Sequence, residues 1–198
     1  MVTKDKPIMG IDLDNTLADT TGAVRLLLKE RHGIDIVKEQ WTSYHIWECM
    51  PQITKDIVLP LFKEAWEVPA KIQLLHQEVP AIIEKLKDRF SVYIVTSTFA
   101  SDESILHWLD DNGLMFNAVI HAINDKEKIS MVKHGSIKYL LDDNFELLRN
   151  LGNGTVPILL RQPWNERYIA SGSAYCDGMT VVDGWHELLR VTDRLAMK

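Results

Sequence analysis

The sequence of 198 residues predicts an α/β fold in which helices cover both faces of a doubly wound parallel sheet. Short apolar runs of strand length recur along the chain, and segments with the apolar spacing of amphipathic helices lie between them. The runs are continuous rather than alternating, which indicates strands that are buried on both faces. Polar and acidic residues follow several runs, at the sheet edge where open α/β proteins bind ligands.

Six segments have the length and composition of strands. The first ends in two nearby carboxylates, and the second is the richest in β-branched residues. Proline has no N–H to donate to a neighbouring strand. Pro157 therefore predicts either that the fifth strand lies at an edge of the sheet or that the strand starts at this residue. The predicted strands are residues 8–12, 92–96, 118–121, 137–142, 156–160 and 180–182.

Helical patterns alternate with these strands, as a doubly wound sheet requires. Gly113 and Gly135 follow two of the helical segments and are typical C-terminal stops. The predicted helices of this part of the chain are residues 80–89, 103–112, 128–134, 145–151 and 185–195.

The segment between the first two strands, residues 18–78, contains no strand pattern. A connection of about 60 residues is far longer than an ordinary crossover, which favours a separate helical insert above the C-terminal end of the first strand. We therefore predict an α/β core formed by residues 1–17 and 79–198 and a small helical domain formed by residues 18–78. The predicted helices of the insert are residues 22–32, 39–44, 54–65 and 69–76.

Composition restricts the classes of partner. The net charge of −6 argues against a polynucleotide or an anionic membrane surface as partner, because both favour basic proteins. The polar start of the chain and the early Asp12 do not fit a signal peptide, and no apolar stretch is long enough to span a bilayer. Cys49 and Cys176 favour two reduced thiols over a disulfide. We expect a soluble cytoplasmic protein, and the oligomeric state stays open, with a homodimer as one option.

The most informative motif is Asp12-Leu13-Asp14-Asn15-Thr16, at the end of the first strand. Residues two apart on a strand point to the same side, so Asp12 and Asp14 place two like charges close together. Such a pair is unfavourable unless a cation lies between the carboxylates, which suggests a metal-assisted site. A solvated acidic loop remains the alternative for this motif taken alone.

Three further polar features fall at strand ends or at a helix start. Thr96, Ser97 and Thr98 follow the second strand, and the acidic pair Asp142-Asp143 precedes Asn144 after the fourth. Lys126 and Lys128 lie at the predicted start of the helix between them. Each feature is weak alone, but the four together in this order are unlikely to arise by chance, and they predict one polar site.

These four features resemble the motifs of the haloacid dehalogenase-like (HAD) hydrolases, which are mostly Mg²⁺-dependent phosphatases. The resemblance covers the whole chain in order and spacing, implies a Rossmann-like parallel core, and makes the insert a cap domain. Within this family, the stretches at residues 95–97, 140–143 and 161–165, followed by Trp185, are similar to the cytosolic type C group of 5′(3′)-deoxyribonucleotidases. Asn15 stands where many members of the family carry a small residue.

The carboxylates suit phosphomonoester hydrolysis, and the resemblance implies their roles. Asp12 is expected to be the nucleophile and a metal ligand, and Asp14 the general acid and base. The resemblance also makes the backbone carbonyl of Asp14 a ligand of Mg²⁺. Asp143 is the expected direct carboxylate ligand, with Asp142 in a supporting or water-mediated role. Thr16 is expected to stabilise the loop through a hydrogen bond.

The remaining site residues are expected to hold the phosphate. Thr96 and the amide of Ser97 would bind its oxygens, and a lysine would neutralise the phosphate together with the nucleophile. Lys128 is the favoured lysine, and Lys126 and Lys133 are the alternatives.

The insert is rich in aromatic residues, which either build its core or line a pocket. Trp41, Tyr44 and Trp47 are the best candidates for a pocket wall, whereas Phe62 and Trp66 fit a core. The favoured substrate is a small phosphorylated metabolite, most simply a (deoxy)nucleoside monophosphate. A sugar phosphate and a non-catalytic phosphate-binding module are the alternatives.

Overall fold

The computed structural model describes residues 6–195. A sheet of six parallel strands, in the order β3-β2-β1-β4-β5-β6, forms its centre, so the predicted α/β fold is confirmed. The outermost residues of the predicted core, 1–5 and 196–198, lie outside the described part. The strands are β1 (Ile8–Ile11), β2 (Ser91–Thr96), β3 (Ala118–His121), β4 (Ile137–Asp142), β5 (Val156–Leu160) and β6 (Thr180–Val182).

Helices cover the sheet and form the insert. The described helices are α1 (Thr20–His32), α2 (Ile46–Cys49), α3 (Lys55–Glu67), α4 (Val79–Lys87), α5 (Asp102–Asp111), α6 (Asp125–His134), α7 (Phe145–Arg149), α8 (Glu166–Ala170), α9 (Ser173–Cys176) and α10 (Trp185–Leu195). None of them is long and apolar enough to cross a membrane.

Several predicted boundaries are wrong. The segments 39–44 and 69–76 contain only the short 3-10 helices Lys38–Gln40 and Pro69–Lys71. The Pro69–Lys71 helix ends early because Leu74 then pairs with Ala18 in an isolated antiparallel bridge. Pro157 marks the start of β5, as predicted, but β5 lies between β4 and β6 and is not an edge strand.

Strand β1 lies in the middle of the sheet, between β2 and β4. Gly10 makes this position possible, because a Cβ there would lie only 2.9 Å from a methyl group of Val95 and 3.0 Å from one of Leu140. The C-terminal ends of β1, β2 and β4 are therefore adjacent, and the polar residues that follow them are brought together.

Residues 18–78 form no strand of the sheet, and α1 packs on α3 within this segment. Its two ends run side by side. The amide of Asp19 donates to the carbonyl of Gln73 at 2.8 Å, and the amide of Leu75 donates to the carbonyl of Leu17 at 2.7 Å. The insert thus leaves and rejoins the core at one narrow neck, directly after the Asp12–Asp14 loop. Its independence as a domain remains a prediction.

Candidate active site

Three buried carboxylates meet at the ends of β1 and β4. Asp12, Asp142 and Asp143 each offer an oxygen atom, and these atoms all lie within 4.8 Å of one another. The strand register explains the convergence, because Ile11 pairs with Leu141 and the amide of Asp12 donates to the Leu141 carbonyl at 2.9 Å. This cluster combines the first and the last of the four sequence features.

Lys128 is the cation of this cluster. Its Nζ donates to Oδ1 of Asp12 at 2.5 Å and to Oδ2 of Asp142 at 2.7 Å, and only 2% of the residue is exposed. The sequence placed it at a helix start, but α6 begins three residues earlier, after the cap formed by Asn124. One turn into the helix, the lysine reaches both strands. Lys126 also lines the cavity beside the cluster, whereas Lys133 is exposed and lies beside Gly152.

Burial governs the acidity of these groups. It raises the pKa of Asp12 well above its ordinary value, despite the opposing Lys128 ammonium, and it also raises the pKa of Asp142. The pKa of Asp143 is raised by burial first and then by the charges of Asp142 and Asp12. Burial lowers the pKa of Lys128, but its two carboxylate partners outweigh that effect, and its pKa lies above the usual range.

The donor set fits a divalent cation. When all four groups are ionised, three carboxylates and one ammonium leave two buried negative charges uncompensated, which is unfavourable and agrees with the raised pKa values of Asp12 and Asp143. Oxygen ligands are those that Mg²⁺ prefers, and one or two carboxylates with backbone and phosphate oxygens are typical of its protein sites.

The carboxylates of Asp142 and Asp143 differ in how many of their oxygens accept a hydrogen bond. Both oxygens of Asp142 are engaged, Oδ2 by Lys128 and Oδ1 by the amide of Asn144 at 2.8 Å. Asp143 accepts a hydrogen bond from Nε1 of Trp164 on Oδ2 at 2.7 Å, and within residues 6–195 its Oδ1 receives none. This difference agrees with Asp143 as the direct ligand, a role that stays a prediction.

Replacing Asp143 by asparagine should raise the stability of the metal-free protein while abolishing its response to Mg²⁺. The variant removes one uncompensated buried charge, and its amide oxygen can still accept the Trp164 hydrogen bond. We expect the free energy of unfolding to rise by about 1 kcal/mol, which corresponds to an increase of about 2–4 °C in Tm for a domain of this size. Thermal unfolding with and without Mg²⁺ measures both effects. Asp183→Asn, which alters an exposed carboxylate that pairs with Arg161, is the control and should keep the wild-type response.

The loop after β1 is held by the insert and the core together. Asn15 has a left-handed backbone with φ 58°, which asparagine adopts more readily than most residues. Its Oδ1 accepts from the amide of Thr21 at 2.8 Å, and its carbonyl accepts from Nε2 of Gln162 at 3.0 Å. The expected hydrogen bond of the Thr16 side chain is wrong, since its buried hydroxyl has no partner in the described chain. The Thr16 carbonyl instead accepts from Nε1 of Trp185 at 3.3 Å.

Asp14 lines the cavity, and one of its oxygens takes two hydrogen bonds. Oδ1 accepts from the hydroxyl of Thr20 at 2.5 Å and from Nε1 of Trp66 at 3.0 Å. Sequence reasoning assigned Trp66 to the core of the insert, and its ring is indeed buried, but it also reaches the predicted general acid. Nothing in the pattern around Trp66 signals that contact, because the two residues lie 52 positions apart.

The residues after β2 reach the site in a different way from that expected. Thr96 is fully buried and does not line the cavity; its hydroxyl accepts from the amide of Thr98 at 3.2 Å. Ser97 does line it, and its hydroxyl donates to Oδ1 of Asp125 at 2.6 Å. Asp125 also accepts from Nδ2 of Asn144 at 3.0 Å and so ties three loops together. Sequence reasoning missed Asp125, since an acidic residue in the first turn of a helix is usually only a dipole partner.

A cavity of about 530 Å³ lies between the carboxylate cluster and the insert. The predicted wall residues Trp41, Tyr44 and Trp47 all line it, and Phe62 does so as well. The Tyr44 ring is partly exposed, but burial of its hydroxyl and the nearby carboxylates, Asp143 foremost, raise the pKa of the phenol well above its usual value. The core thus lines the cavity with carboxylates, and the insert lines it with mostly aromatic and apolar side chains.

Solved structures share this architecture over nearly the whole chain, whereas no protein-family model and no curated protein matches it. A haloacid dehalogenase-like hydrolase from Streptococcus pneumoniae has a TM-score of 0.67 at 11% identity, covering 94% of this chain and 98% of that one. A predicted phosphatase from Clostridium acetobutylicum has a TM-score of 0.64 at 15% identity, covering 96% and 100%. A Bacillus subtilis structure assigned to the HAD hydrolases and bound to magnesium has a TM-score of 0.59 at 14% identity, covering 96% and 100%. The chain thus has the HAD-like Rossmann fold that its sequence predicts.

Proposed function

We propose that this protein is a Mg²⁺-dependent phosphatase that hydrolyses a small phosphomonoester through an aspartyl-phosphate on Asp12. The observation that carries the proposal is the buried set of Asp12, Asp142 and Asp143 around Lys128, at the mouth of a cavity that has room for a metabolite. Such a concentration of uncompensated negative charge costs stability, and binding of a cation offsets that cost and lets an anionic phosphate approach.

In the first step an oxygen of the Asp12 carboxylate forms a bond to phosphorus, and the bond between phosphorus and the alcohol oxygen breaks. Asp14 gives its proton to the departing oxygen, so the alcohol leaves neutral. The Lys128 ammonium, 2.5 Å from Asp12, orients this carboxylate and offsets the negative charge that gathers around phosphorus. Asp14 ends the step as a carboxylate.

In the second step a water molecule attacks the aspartyl-phosphate, and Asp14 takes the proton that the water loses. The bond between phosphorus and Asp12 breaks, which releases inorganic phosphate and restores both aspartates. Mg²⁺, held by Asp12, Asp143 and the Asp14 carbonyl with support from Asp142, would neutralise phosphate oxygens and so let an anionic nucleophile approach. The amides after β2, near Ser97, would hold the same oxygens.

We further propose a (deoxy)nucleoside monophosphate as the substrate. The part of the cavity that the insert forms contains the aromatic side chains Trp41, Tyr44 and Phe62, which suit the face of a base. A sugar phosphate could also pack its ring on these side chains and remains the alternative, whereas a flat base would contact more of their surface. The cavity volume is in the range of small-molecule sites, and the net charge of −6 disfavours a polynucleotide.

A panel of substrates tests both the phosphatase activity and the preference for nucleotides. The measurement is the release of phosphate from each substrate in the presence of Mg²⁺. We expect kcat/KM for nucleoside monophosphates to exceed that for ribose 5-phosphate and phosphoglycolate by about 10-fold or more, since stacking of a base contributes about 1–3 kcal/mol. Preference for ribose 5-phosphate or phosphoglycolate would contradict the nucleotide assignment alone. Absence of phosphate release from every substrate, p-nitrophenyl phosphate included, would contradict the phosphatase itself.

Variants of Tyr44 show whether the ring carries the preference. Tyr44→Ala should lower kcat/KM for nucleotides by about 10-fold, because the stacking contribution of one ring is lost, and should leave ribose 5-phosphate nearly unchanged. Tyr44→Phe keeps the ring and should retain the preference. Tyr175→Ala removes an exposed tyrosine outside the cavity and is the matched control. An equal loss on both substrates in Tyr44→Ala would exclude stacking on this residue.

A further inference from the structure

The indole of Trp66 joins the insert to the predicted general acid. Trp66 lies near the end of α3, is 2% exposed, and donates from Nε1 to Oδ1 of Asp14 at 3.0 Å. The Thr20 hydroxyl, in the first turn of α1, donates to the same oxygen at 2.5 Å. No hydrogen bond joins Oδ2 of Asp14 to any of residues 6–195, so the two oxygens of this carboxylate differ.

The indole is itself held in place by the core. Its ring packs edge-on against Trp108 of α5, with ring centroids 6.2 Å apart. Nε1 of Trp108 donates to the carbonyl of Ile72 at 2.8 Å, at the point where the insert returns to the core. Trp66 therefore has a fixed orientation, and a donor with a fixed orientation restricts the rotation of the carboxylate it contacts.

We propose that Trp66 is a positioning residue for the reaction set out above, and this inference depends on that function. Its N–H, together with the Thr20 hydroxyl, keeps Oδ1 of Asp14 turned towards the insert. Oδ2 is then the oxygen that gives its proton to the leaving alcohol and later takes one from water.

The basicity of the leaving group determines how strongly the loss of the hydrogen bond from Trp66 to Asp14 slows the reaction. A leaving group that is a strong base needs its proton as the bond to phosphorus breaks, whereas a weakly basic one departs as an anion without help. A misaligned Asp14 therefore slows formation of the aspartyl-phosphate from the first class and spares it for the second. The later attack of water is common to both classes, so kcat/KM, which excludes that step, is the quantity to compare. Phenyl phosphate and p-nitrophenyl phosphate are suitable probes, because they have nearly the same shape but differ in leaving-group basicity.

The test is steady-state kinetics of Trp66→Phe on both probes. We expect kcat/KM for phenyl phosphate to fall about 10-fold or more, part of the roughly 10²–10⁴-fold that a positioned acid contributes. For p-nitrophenyl phosphate kcat/KM should stay within about twofold. A slower attack of water on the aspartyl-phosphate would affect both probes equally and would appear only in kcat. Trp47→Phe makes the same substitution at an indole that lines the cavity and donates no hydrogen bond to Asp14 in the described chain, so it should treat the two probes alike.

Thr20 gives an independent variant if Trp66→Phe does not fold. Thr20→Val should repeat the selective loss on phenyl phosphate, and Thr20→Ser, which restores the hydroxyl, should recover it. An equal loss on both probes in Trp66→Phe and in Thr20→Val would mean a structural role and would overturn the inference. A gain on phenyl phosphate would also overturn it, because the indole would then hold the acid away from the substrate.

A spectroscopic readout separates this inference from the proposed function. The NMR resonance of the Trp66 indole N–H should differ in position between the wild-type protein and Asp14→Ala, while the Trp108 indole resonance should have the same position in both. An unmoved Trp66 resonance overturns the positioning contact, whatever the activity. Wild-type protein that hydrolyses neither probe overturns the phosphatase, and with it the positioning role.

Discussion

Replacing Asp12 by asparagine is expected to lower kcat for phosphate release by about 10⁴-fold or more, on nucleotides and on p-nitrophenyl phosphate alike. An amide oxygen is a poor nucleophile, so the covalent intermediate cannot form, and loss of a nucleophile is among the largest single effects in catalysis. Phosphate release with saturating Mg²⁺ measures the change. A variant that keeps more than about a tenth of the wild-type rate would contradict Asp12 as the nucleophile.

The asparagine variant should fold, which makes the kinetic result interpretable. Its amide oxygen can still accept the hydrogen bond from Lys128, and it removes one of three crowded charges. We therefore expect its metal-free Tm to equal or exceed that of wild type. Asp19→Asn is the matched control, because Asp19 caps α1 close to the site but does not line the cavity, and asparagine caps a helix equally well. This control should retain wild-type activity.

The sequence was sufficient for the parts of the fold that depend on local pattern. Strands β3 to β6 and helix α10 begin and end where the apolar runs predict, because a strand buried on both faces is apolar throughout. The convergence of Asp12, Asp142 and Asp143 was predictable for a related reason, since parallel strands end at one edge of the sheet.

The contacts that depend on packing between distant segments were not predictable. Trp66 contacts Asp14 through its indole N–H, and nothing in the neighbouring residues distinguishes this indole from an ordinary core residue. The turns of the insert were misjudged because short amphipathic stretches fit helices and irregular turns equally well. Pro157 lies at the start of β5, one of the two positions predicted for it, because the beginning of an inner parallel strand accepts proline as an edge does.

Replacing Lys128 by methionine is expected to have the largest effect on stability. The ammonium is the cation that contacts both Asp12 and Asp142, and its removal leaves three buried carboxylates without a counter-charge. Removing one partner of a buried ion pair costs about 3–5 kcal/mol. For a domain of this size the metal-free Tm should fall by about 10 °C. Thermal unfolding in the presence of a chelator measures this loss, and kcat/KM should fall by about 10²-fold or more because phosphate loses its cation.

The two alternative lysines provide the controls. Lys126→Met and Lys133→Met remove exposed lysines of the same helix, so their metal-free Tm should stay close to that of wild type. Equal losses in all three variants would show that the helix, and not the buried charge, is the cause.

The double variant Lys128→Met with Asp12→Asn separates charge from packing. If the loss in Lys128→Met arises from uncompensated carboxylates, removing one of them should recover part of it, and the double variant should be more stable than Lys128→Met alone. Mg²⁺ should by the same argument stabilise Lys128→Met by more than it stabilises wild type, because the ion then meets a site with one more uncompensated charge. Strictly additive effects of the two substitutions, together with an unchanged response to Mg²⁺, would instead assign the loss in Lys128→Met to the packing of the methionine side chain. The ammonium would then have no part in balancing the cluster, and the electrostatic basis of the metal site would fail.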